Sequence, residues 1–318
     1  MPKIESSTIF QSTGHAAVFA LAWGGLRLFA LLPRSLAYRV ASVLAWTYFH
    51  AVKRHRRIAE RNLKLAFPES SAAWRRETAM ACYRQTGDLV VEISKLGGLT
   101  RQNVAERIQY EDGYGVEHYL EARRAGRPVL FLTAHVSAWE VLPCAHGLLT
   151  HPLSFVIRPL DNPYLERYLR RLRERCGNRC IPKRNSAREV LRALNSSEDL
   201  GILIDQNVND DDRIFVDFFG IPAATTSAPA LFALRTSAAV IPGFLVPGEH
   251  RGQYRIRFYP PVELVRTGDN RSDILANTQV FTRYVEDVVR EFPHTWLWGH
   301  RRWKTRPPGD TRDLYEGL

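Results

Sequence analysis

The length, composition and charge of this chain exclude several broad classes of protein. Its 318 residues are 45% hydrophobic and 24% charged, which is too apolar for a disordered chain and too polar for a protein with many membrane spans. Four cysteines are too few for a disulfide scaffold at this length, and they indicate a reducing compartment. The formal net charge of +11 admits nucleic acid or an anionic membrane as a partner.

The positive charge and the longest apolar stretches both lie near the N-terminus. Residues 1–64 contain ten Lys or Arg and two acids, and five of those cations cluster at residues 53–61. The cluster follows apolar stretches at residues 15–33 and 36–52. Apolar length beside concentrated cations fits an anionic bilayer surface better than a nucleic acid groove.

The first apolar stretch is marginal as a membrane span. It has about 17 residues and one arginine, against the roughly 20 apolar residues that a span needs. It lacks a basic leader and a small-residue cleavage site, so we do not expect a cleaved, exported protein. An uncleaved anchor, an interfacial helix and a buried core helix remain open. We expect residues 1–60 to be a helical membrane-anchoring or interfacial region, followed by one domain at residues 61–318.

The pattern of apolar residues changes near residue 128. Up to about residue 100 the pattern predicts helices, and beyond it short apolar runs alternate with amphipathic segments. This alternation predicts an α/β fold with a largely parallel central sheet flanked by helices. The predicted strands are residues 129–133, 153–157, 200–204, 240–246 and 254–259. The predicted helices of this part are residues 114–125, 137–149, 162–176, 186–195, 227–235 and 273–291.

A histidine and a glutamate follow the first predicted strand. His135 stands where that strand should end, and Glu140 falls in the first turn of the next predicted helix. Because side chains in that turn lean back toward the helix N-terminus, we expect Glu140 to contact His135. A base beside an orienting group is the arrangement that activates a hydroxyl for acyl transfer. Ser137 and Glu140 equally fit a capping box that binds the helix backbone, and the spacing leaves both interpretations open.

Polar residues also follow the next two predicted strands. Arg158 comes after the second strand and Asp205 after the third. Each alone is ordinary in a loop between a strand and a helix. Because the carboxyl ends of parallel strands share one edge of the sheet, the three residues together predict a functional site there.

At this point several blocks, in order along nearly the whole chain, resemble the bacterial lipid A late (lauroyl/myristoyl) acyltransferases of the lysophospholipid acyltransferase superfamily. The blocks are residues 61–69, the His135-x4-Glu140 pair, residues 158–163, Arg173-x-Arg175-x-Gly177, and residues 205–207, 215–223 and 296–304. One departure is that members of the family often have Gly-Asn where this chain has Ser137-Ala138.

The resemblance implies a membrane-associated acyltransferase at the cytoplasmic face of the bacterial inner membrane. It implies transfer of a fatty acyl group from an acyl thioester, on acyl carrier protein or coenzyme A, to a hydroxyl of a lipid A precursor or related glycolipid. It implies no cofactor, metal or nucleic acid partner. Two alternatives stay open: an O-acyltransferase of the same superfamily that uses a phospholipid or another amphiphile, and a non-catalytic membrane- or nucleic-acid-binding protein.

The resemblance also implies roles for individual residues. His135 would take the proton of the acceptor hydroxyl, and Glu140 would hold the imidazole. A nearby helix N-terminus would keep that imidazole neutral. Arg158 or Arg173 would bind the thioester oxyanion or a phosphate, and Asp205 would fix one of these arginines.

Two aromatic groups are further candidates. Phe215, Phe218 and Phe219 fit either an acyl-chain tunnel or packing beneath the sheet. The tryptophans of the C-terminal block stand among Arg and Lys, which fits a lipid headgroup layer or a solvated helix end. They are Trp296, Trp298 and Trp303.

Overall fold

Four helices precede the sheet in the computed structural model, which describes residues 4–184, 186–209 and 213–318, with side chains from residue 14 onward. The helices are α1 (Ile4–Leu31), α2 (Arg34–Ala51), α3 (Lys53–Ala66) and α4 (Ala72–Lys95). The predicted helical character of the first hundred residues is therefore confirmed; residues 1–3 of the predicted membrane region lie outside the described residues.

Local sequence signals separate these helices. Pro33 stands between α1 and α2, where its lack of a backbone N–H ends one helix without disturbing the next. Ser71 caps α4, since its hydroxyl accepts a hydrogen bond of 3.1 Å from the backbone N–H of Trp74.

The apolar part of α1 is largely exposed. Among the described residues, one helical stretch, residues 14–31, is long and apolar enough to cross a membrane, and none of it is buried. Leu21 and Leu31 are about four-fifths exposed. The interpretation of this stretch as a buried core helix is therefore wrong.

Seven strands form a central sheet in the order β1-β9-β8-β2-β5-β3-β4, and β6 and β7 form a separate antiparallel hairpin. Neighbouring strands of the central sheet are parallel, except that β8 and β9 are antiparallel. The predicted α/β fold with a largely parallel sheet is confirmed. The strands are β1 (Ile108–Tyr110), β2 (Val129–Thr133), β3 (Ser154–Ile157), β4 (Arg179–Pro182), β5 (Leu200–Leu203), β6 (Arg213–Phe218), β7 (Ile221–Thr226), β8 (Ala239–Pro247) and β9 (Tyr254–Phe258).

Helices flank the sheet on both faces. All five predicted strands and all six predicted helices are present, but β1, β4, β6 and β7 are not predicted by the apolar pattern. The edge strands β1 and β4 contain Gln109 and Arg179, so neither forms a continuous apolar run of the kind that predicts β2 and β5. The remaining helices are α5 (Glu117–Arg124), α6 (Leu142–Leu149), α7 (Pro163–Glu174), α8 (Ala187–Asn195), α9 (Ala228–Arg235) and α10 (Asn270–Glu291).

The helix predicted at residues 137–149 begins later than expected. Ser137 has φ +57, a left-handed conformation that cannot lie inside a right-handed helix. Residues 137–141 form a turn, and α6 begins at Leu142 with Pro143 in its first turn. Glu140 therefore lies in the turn that precedes the helix.

The core lies on both faces of the sheet, and β2 runs through its middle. Leu130 and Leu132 point into one hydrophobic cluster, and Val129 and Phe131 point into the other. This burial on both sides is typical of a strand in a parallel sheet covered by helices.

The three C-terminal tryptophans belong to the first of these clusters. Trp296, Trp298 and Trp303 are at most 1% exposed, so neither a headgroup layer nor a solvated helix end describes them. Phe218 packs edge-on against Trp296, with ring centroids 5.5 Å apart, and Phe219 packs against Phe218. Phe218 and Phe219 thus pack within the core, as one of the two interpretations predicted.

Cys144 of α6 and Cys176, just beyond α7, form a disulfide with Cα atoms 5.3 Å apart. This pairing does not test the compartment, so the reducing compartment that the cysteine count indicates stays a prediction. A count carries no information about which cysteines meet in space. Cys82 and Cys180 are free and buried.

Candidate functional site

His135 and Asp205 meet at the carboxyl edge of the sheet. His135 follows β2 and Asp205 follows β5, and these two strands are parallel neighbours. Nδ1 of His135 lies 2.8 Å from one carboxylate oxygen of Asp205, and its backbone N–H donates to the other at 3.0 Å. The indole N–H of Trp296 also donates to Asp205 at 2.7 Å. The carboxylate is therefore held by three hydrogen bonds.

This pair has a pronounced electrostatic effect on both members. Burial raises the pKa of Asp205, but the charge and hydrogen bonds of His135 outweigh it and lower that pKa to about 2. Burial lowers the pKa of His135, but the charge and hydrogen bond of Asp205 outweigh it and raise the pKa. An ionised Asp205 holds the proton of neutral His135 on Nδ1, so Nε2 carries the basic lone pair.

Glu140 makes a different pairing. Its carboxylate accepts two hydrogen bonds from Arg173 on α7, 2.8 Å from Nε and 2.6 Å from Nη2. The side chains of Glu140 and Arg173 are 20% and 13% exposed. Such a bidentate pair is strong and fixes geometry as well as charge.

The structure therefore exchanges the partners that the sequence predicts. The expected contact between Glu140 and His135 is wrong, because Glu140 binds Arg173; the expected pairing of Asp205 with an arginine is wrong, because Asp205 binds His135. The expectation that a helix N-terminus keeps His135 neutral also fails, since α6 begins seven residues later. Glu140 still acts on His135 through its charge, which raises the pKa of the imidazole.

The capping box is not formed either. Both oxygens of Glu140 are engaged by Arg173, and the N-cap of α6 is Val141. The backbone N–H of Ser137 donates to the carbonyl of Thr295 at 2.9 Å. The turn after His135 is thus tied to the segment that carries Trp296.

Arg158 lies apart from this cluster. Its side chain is 83% exposed, and among the described residues its ionic contact is with Asp161 at 3.9 Å. Of the two predicted arginines, Arg173 is therefore the one that the structure brings to the site.

Two further residues contact the imidazole of His135. Neither was among the site candidates from the sequence. The side-chain amide nitrogen of Gln206 lies 3.2 Å from Nε2 of His135. Trp139 packs edge-on against the imidazole, with ring centroids 5.0 Å apart. The sequence feature that could have identified them is their position, because each lies inside a block that carries the family resemblance.

Trp139 also forms one wall of a narrow apolar cavity beside the site. The cavity runs under β2 and β5 and is lined by Leu142 of α6, Gly201 of β5 and Phe258 of β9, among others. His146 closes it from α6, and burial lowers the pKa of His146 to about 3, so that this residue is neutral. The cavity therefore offers an uncharged, mostly apolar surface next to His135.

The His, Cys, Asp and Glu side chains of the described residues are not grouped as the ligands of a metal centre would be. Within the described ranges, no group of three or more His, Cys, Asp or Glu side chains is placed to hold an ion. His300, near the pair, is neutral, because burial lowers its pKa to about 4, and its Nε2 accepts a hydrogen bond of 2.9 Å from the backbone N–H of Asn207.

Comparisons of this chain with family models and with known proteins all point to one family. Residues 5–305 match the model of the bacterial lipid A biosynthesis acyltransferases. The chain is 27% identical to the lipid A biosynthesis palmitoleoyltransferase of Escherichia coli K12 over 82% of each chain. It is 25% identical to the lipid A biosynthesis lauroyltransferase of the same organism, over 90% of this chain and 91% of that one.

A third relative is similar over nearly its full length. The chain is 26% identical to a lipid A biosynthesis acyltransferase of Haemophilus influenzae, over 99% of this chain and 100% of that one. The residues of the site, from His135 to Trp296, all fall within the range that the family model matches.

Proposed function

Because the chain belongs to the bacterial lipid A biosynthesis acyltransferase family and is an acyltransferase, we propose that it moves a fatty acyl group from an acyl thioester to a hydroxyl of a lipid A precursor or related glycolipid. The donor is acyl carrier protein or coenzyme A. The observation that carries this proposal is the pairing of His135 with buried Asp205, at a sheet edge beside an apolar cavity.

In this proposal His135 is the general base. Its Nε2 takes the proton of the acceptor hydroxyl as the oxygen attacks the thioester carbonyl, and then returns a proton to the leaving thiolate. Asp205 holds the imidazole in the required tautomer and stabilises its protonated form. Glu140 takes part through its charge and through Arg173, since it does not touch the imidazole.

Arg173 is the better placed of the two arginines to stabilise developing charge. Its Nε and Nη2 are engaged by Glu140, and its Nη1 has no hydrogen bond among the described residues. A guanidinium fixed in this way is pre-organised to bind the thioester oxyanion or a phosphate. Arg158, exposed on the loop after β3, is proposed to bind a phosphate of the acceptor at the entrance.

The apolar cavity is proposed to receive the acyl chain. Trp139 lines the cavity and contacts His135, so we propose that a chain bound there presents its carboxyl end to the base. Gly201 and Phe258 form the inner walls. An apolar channel with one polar end is the usual form of a site for an amphiphile.

Membrane association is proposed from the N-terminal helices. The exposed apolar stretch of α1 is followed by the basic residues of α3, the pairing that favours an anionic bilayer. α1 contacts the catalytic part through Phe19, whose ring lies 6.0 Å from that of Tyr164 and 6.3 Å from that of Tyr168 on α7. We propose the cytoplasmic face of the inner membrane.

The proposed division of the chain follows from this. Residues 1–60 would serve as the membrane region and residues 61–318 as the acyltransferase domain. The boundary falls within α3, whose first turns carry the basic cluster and whose later residues, such as Leu63, are buried in the core.

The test is acyl transfer by the purified full chain in detergent. Acyl carrier protein or coenzyme A thioesters would be supplied with a lipid A precursor, and the acylated lipid measured by mass spectrometry. Loss of a general base typically costs about 10² to 10⁴-fold, so we expect His135→Ala to lower the rate by that factor. His250→Ala, at an exposed position beyond β8, is the matched control. Transfer by folded His135→Ala at the wild-type rate would refute the proposal, and so would failure of the wild type to transfer.

A further inference from the structure

Gln206 occupies the position that the acceptor hydroxyl needs. Since Asp205 fixes the proton of neutral His135 on Nδ1, the atom that must receive the hydroxyl proton is Nε2. The amide nitrogen of Gln206 lies 3.2 Å from that atom and is a donor. The lone pair that does the chemistry is therefore already hydrogen-bonded within the protein.

The backbone around Gln206 is held by hydrogen bonds to buried groups, and its side chain is partly exposed. Arg302, fully buried, donates to the carbonyl of Gln206 at 3.2 Å and to that of Ala224 at 2.6 Å. The next residue, Asn207, donates its N–H to His300. The side chain of Gln206 is itself only half-buried. Displacement of the side-chain amide would therefore leave the hydrogen bonds of the main chain intact.

We propose that Gln206 is a positioning residue that covers Nε2 of His135 until the acceptor hydroxyl displaces it, and so keeps water from being activated against the thioester. This inference rests on the proposed acyl transfer. It concerns which nucleophile reaches the base, and it assigns Gln206 a role in the choice between transfer and hydrolysis.

The reaction that Gln206 would suppress is balanced with water as the co-reactant. The water oxygen adds to the thioester carbonyl carbon while Nε2 of His135 takes one proton. The carbon–sulfur bond then breaks, and the proton passes to the thiolate. The products are a free fatty acid and the thiol, so the donor is consumed without acylation of the lipid.

The test compares hydrolysis with transfer in Gln206→Met, which keeps the size of the side chain and removes the donor. Free fatty acid is measured without acceptor, and acylated lipid with it. We expect the ratio of hydrolysis to transfer to rise at least about fivefold, since one hydrogen bond of about 1 kcal/mol corresponds to that factor. Gln206→Ala serves as a second variant and should change the ratio in the same direction.

The pH dependence of transfer distinguishes a hydrogen bond from Gln206 to Nε2 from a purely structural role of Gln206, because a structural role would leave the pH dependence unchanged. Removing a donor to the neutral imidazole favours its protonated form, so the acid limb of transfer by Gln206→Met should shift to higher pH. The other charged or titratable groups near His135, namely Asp205, Glu140 and His300, are unchanged in this variant. Gln206→Glu should shift the limb further in the same direction, because a carboxylate stabilises imidazolium directly.

A matched control is Gln109→Met, the same change at an exposed position on β1. It should leave both the ratio and the pH profile as in the wild type. If the wild type transfers acyl groups but folded Gln206→Met and Gln206→Ala keep the wild-type ratio, the role of Gln206 is refuted and the proposed function stands. If the wild type does not transfer at all, the proposed function itself fails.

Discussion

Two charged pairs lie at the same edge of the sheet, and they differ in what holds them. His135 and Asp205 extend from neighbouring strands, and the Asp205 side chain is 1% exposed. Glu140 and Arg173 extend from a turn and a helix and are 20% and 13% exposed. The pair that follows two strands sets the protonation of His135, whereas the pair on a turn and a helix fixes the position of a guanidinium. The more deeply buried charge, that of Asp205, is thus the one that raises the pKa of its partner His135.

The largest expected effect comes from breaking the strand-held pair. Asp205→Asn removes the charge and allows the wrong imidazole tautomer, which in a comparable triad costs about 10⁴-fold in kcat. We expect a loss of about 10³ to 10⁴-fold in the transfer assay. Asp112→Asn, at an exposed carboxylate in the turn after β1, is the matched control and should stay within twofold of the wild type.

The same substitution has a pH signature. His135 must be neutral to act as a base, so its raised pKa places the acid limb of kcat/KM above the ordinary histidine value of about 6.5. Asp205→Asn removes the charge that raises this pKa, so the limb of the residual activity should move to lower pH. A limb that stays in place would contradict the assigned partner.

A smaller effect is expected from the helix-held pair. Arg173→Lys keeps the charge but cannot form two parallel hydrogen bonds, and we expect a loss of about 10 to 100-fold in transfer. In a double-mutant cycle with Glu140→Gln, the coupling should be about 1–3 kcal/mol. Arg170→Lys, on the same helix, is the control. Independent effects of the two changes would show that the pair does not act as a unit.

The apolar cavity lined by Trp139 and Gly201 allows a test of specificity for acyl-chain length. A methyl group on Gly201 would meet Leu153 and Phe155 at 3.5 Å, an ordinary van der Waals contact. Gly201→Ala should therefore fold and shorten the acyl chain that is accepted. We expect kcat/KM for the longest chain to fall by about tenfold relative to shorter ones, measured over a series of acyl thioesters. Gly97→Ala, where the added methyl meets nothing within 4 Å, should leave the preference unchanged.

The smallest expected effect concerns the turn between the two pairs. Ser137 holds φ +57, which glycine adopts without strain. Ser137→Gly should stabilise the fold by about 0.5–1 kcal/mol, seen as a rise in the midpoint of thermal unfolding. Ser197→Gly, at φ +59 in a loop away from the site, should give a similar rise. A fall in the midpoint for Ser137→Gly would mean that its contacts outweigh the strain.

Strands such as β2 and β5 could be predicted from the sequence because each is a continuous apolar run, and the helices could be predicted from the spacing of their apolar residues. β2 was predicted to the residue, while the short edge strands β1 and β4 were not. The late start of α6 was missed because a left-handed serine leaves no mark in an apolar pattern. His135, Glu140, Arg173 and Asp205 were all identified as site candidates.

What could not be predicted was which of these residues pair. Chain order places Arg158, after β3, next to the end of β2, but the sheet inserts β5 between β2 and β3. Asp205 therefore meets His135, and Arg158 stays outside. Spatial strand order depends on how helices pack on the sheet, which a local pattern does not contain.

The burial of the C-terminal tryptophans also could not be predicted from the sequence. Indoles among cations suggest a bilayer surface, yet Trp296, Trp298 and Trp303 point into the core while Lys304 points out. Arg302 also points inward, where two backbone carbonyls accept hydrogen bonds from its Nη1 and the hydroxyl of Thr225 accepts one from its Nη2. Composition of a short irregular segment does not reveal which side chains alternate inward.

The hydrogen bond from Trp296 to Asp205 has a consequence for biosynthesis. The hydrogen bonds that hold Asp205 are completed by a residue 91 positions further along the chain. A nascent polypeptide in which residue 296 has not yet emerged from the ribosome would therefore lack this hydrogen bond, and the proposed base would be complete only once that segment had folded into place.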